Sequence, residues 1–261
     1  MIKLIASDID GTLVPDGEHG LNPEYFDVIL KLRQKGIQFA AASGRQWASI
    51  EAIFEPVKEK IFYLSDNGAY VGCCGRNLFL NPMDRELALE FIQAVRRTPE
   101  LEVVVGGPDV DYVETKDPKL LDLLVNGYQF KVKQVEDVTQ VTDHIIKVSA
   151  YKPFGIQEAA AGLVTEFQDR LKIAVAGDMW VDSMAIGVSK GQAIRTLQEN
   201  LNIAPEETMT FGDQMNDLEM LERAYYSFAV ANAREEVKKT ARFLADTNKN
   251  HGVLKVLKQL L

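Results

Sequence analysis

Three short apolar runs each break off into a polar loop, and this pattern restricts the possible folds more than any other feature of the chain. Ile2 to Ala6 runs into Ser7-Asp8-Ile9-Asp10-Gly11-Thr12, Ile37 to Ala42 into Ser43-Gly44-Arg45, and Ile61 to Leu64 into Ser65-Asp66-Asn67-Gly68. Short apolar runs bounded by turn formers read as buried strands. Between the first two, Asn22 and Pro23 open a helix whose apolar positions Phe26, Ile29, Leu30 and Leu32 recur at helical spacing until Gly36. Strand, helix, strand in this order predicts right-handed crossovers and a parallel sheet, with ligand loops at the carboxyl ends of the strands.

After Pro82 the texture changes. Asp84 to Arg97 reads as a helix, Leu101 to Val105 and Val110 to Glu114 as strands, and Pro118 to Val125 as a short helix. His144 to Tyr151 reads as an alternating strand, Gly155 to Leu171 as a helix, and Ile173 to Ala176 with Trp180 to Met184 as a hairpin about Gly177-Asp178. From Ser189 the first texture returns: a capped helix through Ile194, Leu197 and Leu201, a strand from Thr208 to Phe211 ending at Gly212-Asp213, a helix at Leu218 to Leu221, a strand from Ser227 to Val230, and a terminal helix from Gly252. The expected architecture is α/β: a Rossmann-like parallel-sheet core built from 1–81 and 188–261, with an α+β domain inserted at 82–187.

A length of 261 residues suits two domains, and 46% hydrophobic with 26% charged residues is ordinary globular composition. Lys and Arg number 29 against 38 Asp and Glu, a net charge of −9, which disfavours nucleic acid polymers and anionic membrane surfaces as partners. An anionic ligand must therefore be small and locally neutralised. The two cysteines, Cys73 and Cys74, are adjacent and read as reduced, small buried fillers, which points to the cytoplasm. Met1 to Ser7 is too short for a signal sequence, and no run approaches the roughly 18 apolar residues of a membrane span.

The chemistry concentrates in two acidic clusters. Asp8 and Asp10 are two apart just beyond a strand, so their carboxylates fall on one side if strand geometry persists that far. Two carboxylates held together call for a cation, although the same spacing at Asp109 and Asp111 carries no assignment. Asp213 and Asp217 lie one helical turn apart at the start of a helix, where acidic residues also serve simply as partners of the macrodipole. Oxygen donors without His or Cys nearby favour Mg²⁺ over zinc.

Asp8-Ile9-Asp10-Gly11-Thr12-Leu13, Ser43-Gly44-Arg45, Lys190 within Gly187-Val188-Ser189-Lys190-Gly191, and Gly212-Asp213-Gln214-Met215-Asn216-Asp217 together resemble the four ordered motifs of the haloacid dehalogenase-like hydrolase superfamily. Asn67-Gly68-Ala69 and the position of the insert are similar to its Cof-type subfamily. The resemblance implies an Mg²⁺-dependent phosphatase acting on a small phosphorylated metabolite: a sugar phosphate, a nucleotide or pyridoxal phosphate. Asp8 would be the nucleophile that forms an aspartyl-phosphate, and Asp10 the general acid and then base. Asp8, the Asp10 backbone carbonyl and Asp213 would hold the metal, with Asp217 as a further ligand or an orienting group. Thr12, Ser43, Gly44 and Asn216 would meet phosphate or substrate, and Lys190 would neutralise charge on the phosphoryl group. Arg45 would pair either with substrate or with a core acid.

The inserted domain would cap the site in a monomer or homodimer. Trp47 and Trp180 read as packing residues, with Trp180 and Asp178 placed where a hairpin could also face substrate. His144 and His251 read as structural or surface residues, as does His19, although it follows the first acidic loop closely. A phosphomutase or phosphotransferase needs the same Asp8 and Asp10, and a non-catalytic sensor of phosphorylated ligands would keep the fold without turnover.

Overall fold

The structure, a computed structural model, describes residues 1–15 and 20–261, which leaves His19 outside the described residues. The chain divides into two compact units: Met1–Arg45 with Ile50–Phe79 and Ser189–Leu261, and Gln46–Ser49 with Leu80–Val188. Along the chain run β1 (Leu4–Asp8), α1 (Glu24–Gln34), β2 (Gln38–Ala42), α2 (Trp47–Ile53), β3 (Phe62–Ser65), β4 (Tyr70–Cys73) and β5 (Arg76–Leu80). Next come α3 (Arg85–Arg97), β6 (Glu102–Gly106), β7 (Asp111–Val113), α4 (Pro118–Asp122), β8 (Val132–Gln134), β9 (Lys147–Tyr151), α5 (Ile156–Ala159), α6 (Ala161–Phe167), β10 (Lys172–Ala176) and β11 (Trp180–Met184). The chain closes with α7 (Lys190–Leu201), β12 (Thr208–Gly212), α8 (Leu218–Glu222), β13 (Tyr226–Val230), α9 (Glu235–Thr240), β14 (Phe243–Ala245) and α10 (Gly252–Lys258).

The first unit is an α/β sheet in the order β14-β13-β12-β1-β2-β3-β4-β5, parallel from β14 to β3. From β1 the chain builds outward through β2 and β3, then returns to the other side of β1 and builds outward again through β12, β13 and β14. Strand order therefore reverses between β1 and β12, and the loops leaving those two strands diverge to open a crevice at their carboxyl ends. One sheet face packs Leu4, Ala6, Ala40, Ala42 and Leu64 against Ala193, Ile194 and Leu197 of α7 and Met220 of α8. Small alanines on β1 and β2 let α7 sit close to the sheet, and burying each larger aliphatic side chain contributes about 1.5–3 kcal/mol. Helix α1 buries Tyr25, Val28, Ile29 and Leu32, and begins where Asn22 Oδ1 accepts from the Glu24 amide at 3.0 Å.

In the second unit the sheet order is β10-β11-β9-β6-β7-β8, antiparallel except where β8 joins β7. One face is closed by α3 and α6, where buried Phe91 and Phe167 meet edge to face, centroids 5.0 Å apart. Strand β9 is not alternating as its sequence suggests. It lies between β11 and β6 and every residue from Lys147 to Tyr151 is buried. Residues 46–49 group with this unit, where the Gln46 side chain donates to Asp111 Oδ1 at 3.0 Å and accepts from the Lys131 amide at 2.8 Å.

Several elements differ from expectation. β4, β5, β8, α9 and β14 carry no recognisable period, being short and, for β5 and β14, at sheet edges where most of each strand meets solvent. The helix expected over 155–171 splits into α5 and α6 at Ala160 (φ −94°, ψ 3°), next to Gly162, a weak helix former. Cys73 and Cys74 are not buried fillers. They lie at the β4–β5 hairpin tip, one half-buried and the other exposed. No helix among the described residues is long and apolar enough to cross a membrane.

Replacing Phe91 by Ala removes the aromatic contact at the centre of the second unit and is expected to cost about 3–5 kcal/mol. Hydrogen exchange should then show faster opening of β6 and β9 while β1 and β12 keep their protection; equal losses in both would mean that the two units unfold as one.

Candidate active site

The loop after β1 folds back at once. The amides of Leu13 and Val14 both donate to the Ile9 carbonyl at 2.9 Å, and the Gly11 amide donates to Val14 at 2.9 Å. Strand geometry thus ends at Asp8 rather than persisting to Asp10, so the two carboxylates point apart: Asp8 is buried, whereas the Asp10 side chain is 48% exposed. Gly11 has φ +83°, and a Cβ there would run into the Asp213 carboxylate. Only glycine allows the two acidic loops to approach this closely.

On the facing loop, β12 ends at Gly212 and the chain turns through Asp213. Asp217 Oδ2 accepts from the amides of Asp213 and Gln214, each at 2.9 Å, which fixes the turn that opens α8. Asp213 accepts from Thr12 Oγ1 at 2.7 Å and from Gln214 Nε2 at 2.9 Å. Thr12, expected to meet phosphate or substrate, is instead fully buried, and its hydroxyl is committed to Asp213.

Lys190 begins α7, whose N-cap Ser189 accepts from the Gln192 amide at 3.1 Å. Its Nζ donates to Asp8 Oδ1 at 2.5 Å and to Asp217 Oδ1 at 2.7 Å, with all three side chains buried. Asp8, Asp213 and Asp217 each offer an oxygen, all within 4.8 Å of one another. Two of these three carboxylates, Asp8 and Asp217, thus share one ammonium, while Asp213 bonds Thr12 and Gln214. Burial, reinforced by the charges of Asp217 and Asp213, raises the Asp8 carboxyl well above the usual carboxylate range even though Lys190 opposes the shift. Asp213 is raised for the same first reason, against hydrogen bonds from Thr12 and Gln214. Burial works against the Lys190 ammonium, but Asp217 and Asp8 outweigh it and hold the group above its ordinary range.

Asp8 Oδ2 is buried without a hydrogen-bond partner. An orphaned carboxylate oxygen in an oxygen-only cluster with surplus negative charge fits a hard divalent cation, and the absence of nitrogen or sulfur donors from this cluster disfavours softer metals.

Most of the other residues singled out from the sequence have partners of their own. Arg45 resolves to an acid, though an exposed one: Nε donates to Asp10 Oδ2 at 2.8 Å and Nη2 to Oδ1 at 2.6 Å, a bidentate pair. Ser43 is buried, its amide donating to Leu64 and its Oγ accepting from the Arg45 amide at 3.1 Å, so both of those amides are already engaged. Gly44 lies against the Asn67 side-chain amide, and Asn67 Oδ1 in turn accepts from Asn216 Nδ2 at 2.9 Å. His144 is exposed, while His251 Nε2 lies 3.3 Å from Asn22 Nδ2; neither joins the carboxylate cluster. Trp180 packs with Tyr128 and Tyr151, and Asp178 accepts from the Gly155 amide. Trp47 lies beneath the Lys131 ammonium, 5.8 Å from its ring centroid.

The sequence assigns no role at the site to three asparagines, although Asn67 stands in the Asn67-Gly68-Ala69 string. Asn67 sits among three consecutive positive-φ residues, Asp66 (48°), Asn67 (56°) and Gly68 (94°), tied to the second loop by Asp66 N to Arg45 O and Asn67 N to Ser43 O, both 3.0 Å. Asn232 and Asn248 each donate a side-chain amide proton to the Gly11 carbonyl at 2.8 Å, and Asn232 Oδ1 accepts from the Asn248 amide at 2.9 Å. Backbone strain and side-chain clamps of this kind gather at functional loops. The local string Asp66-Asn67-Gly68 carries a turn signal, but nothing around Asn232 or Asn248 announces a partner more than two hundred residues away.

A family model described as haloacid dehalogenase-like hydrolase matches residues 5–257. The chain is 27% identical to the 5-amino-6-(5-phospho-D-ribitylamino)uracil phosphatase YbjI of Escherichia coli, over all of this chain and 96% of that protein. It is also 27% identical to the phosphatase YwpJ of Bacillus subtilis, over the full length of both. Among solved structures, a protein from Eubacterium rectale superposes with a TM-score of 0.93 at 38% identity, covering 100% of this chain and 99% of that one. A haloacid dehalogenase-like hydrolase from B. subtilis superposes with a TM-score of 0.86 at 25% identity, covering both chains in full. With the acidic loops of β1 and β12 meeting over Lys190 inside a match that spans nearly every residue, the chain belongs to the haloacid dehalogenase-like hydrolase family.

Proposed function

We propose that this protein is an Mg²⁺-dependent phosphatase that hydrolyses small phosphate monoesters through an aspartyl-phosphate, with Asp8 as nucleophile. The observation that carries this reading is the partnerless, buried Asp8 Oδ2 beside a Lys190-bonded Oδ1. Lys190 would help to keep the Asp8 carboxylate ionised for attack on phosphorus. Asp8, Asp213, Asp217 and the Asp10 backbone carbonyl would hold Mg²⁺, which when bound supplies positive charge to a dianionic phosphate and its leaving oxygen. Asp10, outside the buried cluster, is the group that protonates the leaving alkoxide and then deprotonates the attacking water. Arg45 would orient Asp10 until substrate competes for one of them. Ser43 Oγ, Gly44 and Asn216, gathered by Asn67, are the neutral groups for phosphate oxygens, while Thr12 positions Asp213 instead.

Substrate choice is assigned to the second unit, acting as the inserted cap. Relatives are named as phosphatases of a phosphoribitylamino-uracil and of HMP-PP, which supports small soluble phosphorylated metabolites of the cytoplasm as the substrate class.

Phosphate release from a panel of sugar phosphates, nucleotides, pyridoxal phosphate and ribityl phosphates is expected with Mg²⁺ and not with chelator. Asp8→Asn should lower it by about 10³-fold or more; turnover near wild type in that variant would rule out covalent catalysis by Asp8.

The raised carboxyls set a pH dependence. A carboxyl whose pKa rises on folding leaves the native state at full stability below its unfolded pKa and destabilises it as pH climbs through the folded value. In chelator at neutral pH, Asp8→Asn should therefore raise Tm, and the gap to wild type should close as pH falls through the raised Asp8 pKa; thermal melts across that range, repeated with Mg²⁺, test it.

Asn248→Ala leaves the Gly11 carbonyl to Asn232 alone and should lower kcat by about 10–100-fold, the usual effect of removing a group that supports catalytic ligands. An unchanged kcat in steady-state assays would show that the clamp is not needed for turnover.

A further inference from the structure

The β4–β5 turn lies outside this machinery. β4 ends at Cys73 and β5 begins at Arg76, so Cys74 and Gly75 form a two-residue hairpin turn, with φ of 55° and 68°. Such turns favour Asn or Asp followed by Gly, because positive φ crowds an ordinary Cβ against the next carbonyl. Gly75 meets that demand and Cys74 does not, so the cysteine is held in a conformation that its side chain disfavours.

The consequence is a juxtaposition. Adjacent side chains on an extended strand point to opposite faces, which would keep neighbouring thiols apart. Left-handed backbone at Cys74 instead swings its side chain round to that of Cys73, and the two sulfurs lie 3.1 Å apart, unbridged. The Cys74 thiol is also 3.2 Å from the Glu59 carbonyl oxygen. Cys73 is half-buried and Cys74 exposed, so the pair can be reached from solvent. Burial, followed by the hydrogen bond with Cys74, pushes the Cys73 thiol up to about 12. Cys73 is thus a poor lone nucleophile, and the pair suits a ligand that engages both sulfurs and displaces their protons.

We propose that Cys73 and Cys74 form a two-sulfur chelating site for a soft, thiophilic centre, of which trivalent arsenic is the simplest case. Soft donors select soft acceptors, and once the first sulfur is bound the second closes the ring intramolecularly at high effective concentration. With an arsenoxide, two S–H bonds and the As–O double bond are replaced by two As–S bonds and one water. Arsenic stays trivalent, so neither oxidant nor reductant is required.

The test uses the full reduced chain and phenylarsine oxide, read by intact-protein mass. One phenylarsenic per chain is expected, resistant to excess 2-mercaptoethanol and removed by 2,3-dimercaptopropanol. The chain has two cysteines in all, so such an adduct at monomer mass must bridge this pair. Cys74→Asn places a turn-favouring residue at the strained position. It should keep or raise Tm, leave phosphate release unchanged and lose the resistant adduct, as should Cys73→Ser. Absence of the adduct, its removal by the monothiol or its survival in Cys74→Asn would each overturn the proposal.

Discussion

One ammonium shared by two buried carboxylates, with a third beside them, is the interaction on which the first unit depends. Lys190 on α7 bonds Asp8 at the end of β1 and Asp217 beyond β12, so a single side chain ties together three distant segments. Transferring such ions from water costs several kcal/mol each and is offset only by partners at hydrogen-bond distance. The remaining donors are distributed accordingly. Thr12 and Gln214 serve Asp213, and two backbone amides serve Asp217. Of the three, Asp8 alone keeps an oxygen unserved.

That arrangement is available because of where the sheet reverses. β1 lies between strands added before and after the insert, so its loop faces the β12 loop where neighbouring crossovers leave in opposite directions. The alanines at 40 and 42 have a matching role on the face beneath, since larger side chains there would lift α7 and with it Lys190. Backbone topology sets the address of the site, and small residues set its depth.

The framework of the site was legible in the sequence because β1, β2, β3 and β12 are buried parallel strands whose apolar runs stop at polar loops. Asp8, Asp213 and Asp217 follow such endings, and Lys190, which opens α7, meets Asp8 and Asp217. What was not legible depends on side-chain direction inside turns. Asp10 faces outward to Arg45 because the backbone folds back at Ile9, and Thr12 turns to Asp213 because Gly11 admits no Cβ. Edge elements such as β5 and β14 lack a two-sided core to impose a pattern. Asn232 and Asn248 were invisible for another reason: their partner is a main-chain carbonyl, which leaves no mark in any residue's identity.

The asparagine clamp also bears on biosynthesis. The Asn248 side chain that bonds the Gly11 carbonyl is synthesised 237 residues after it. Contacts with so great a sequence separation form late, after the entropy of closing the intervening chain has been met. A growing chain can therefore display the Asp8 loop long before Asn248 has emerged to clamp it.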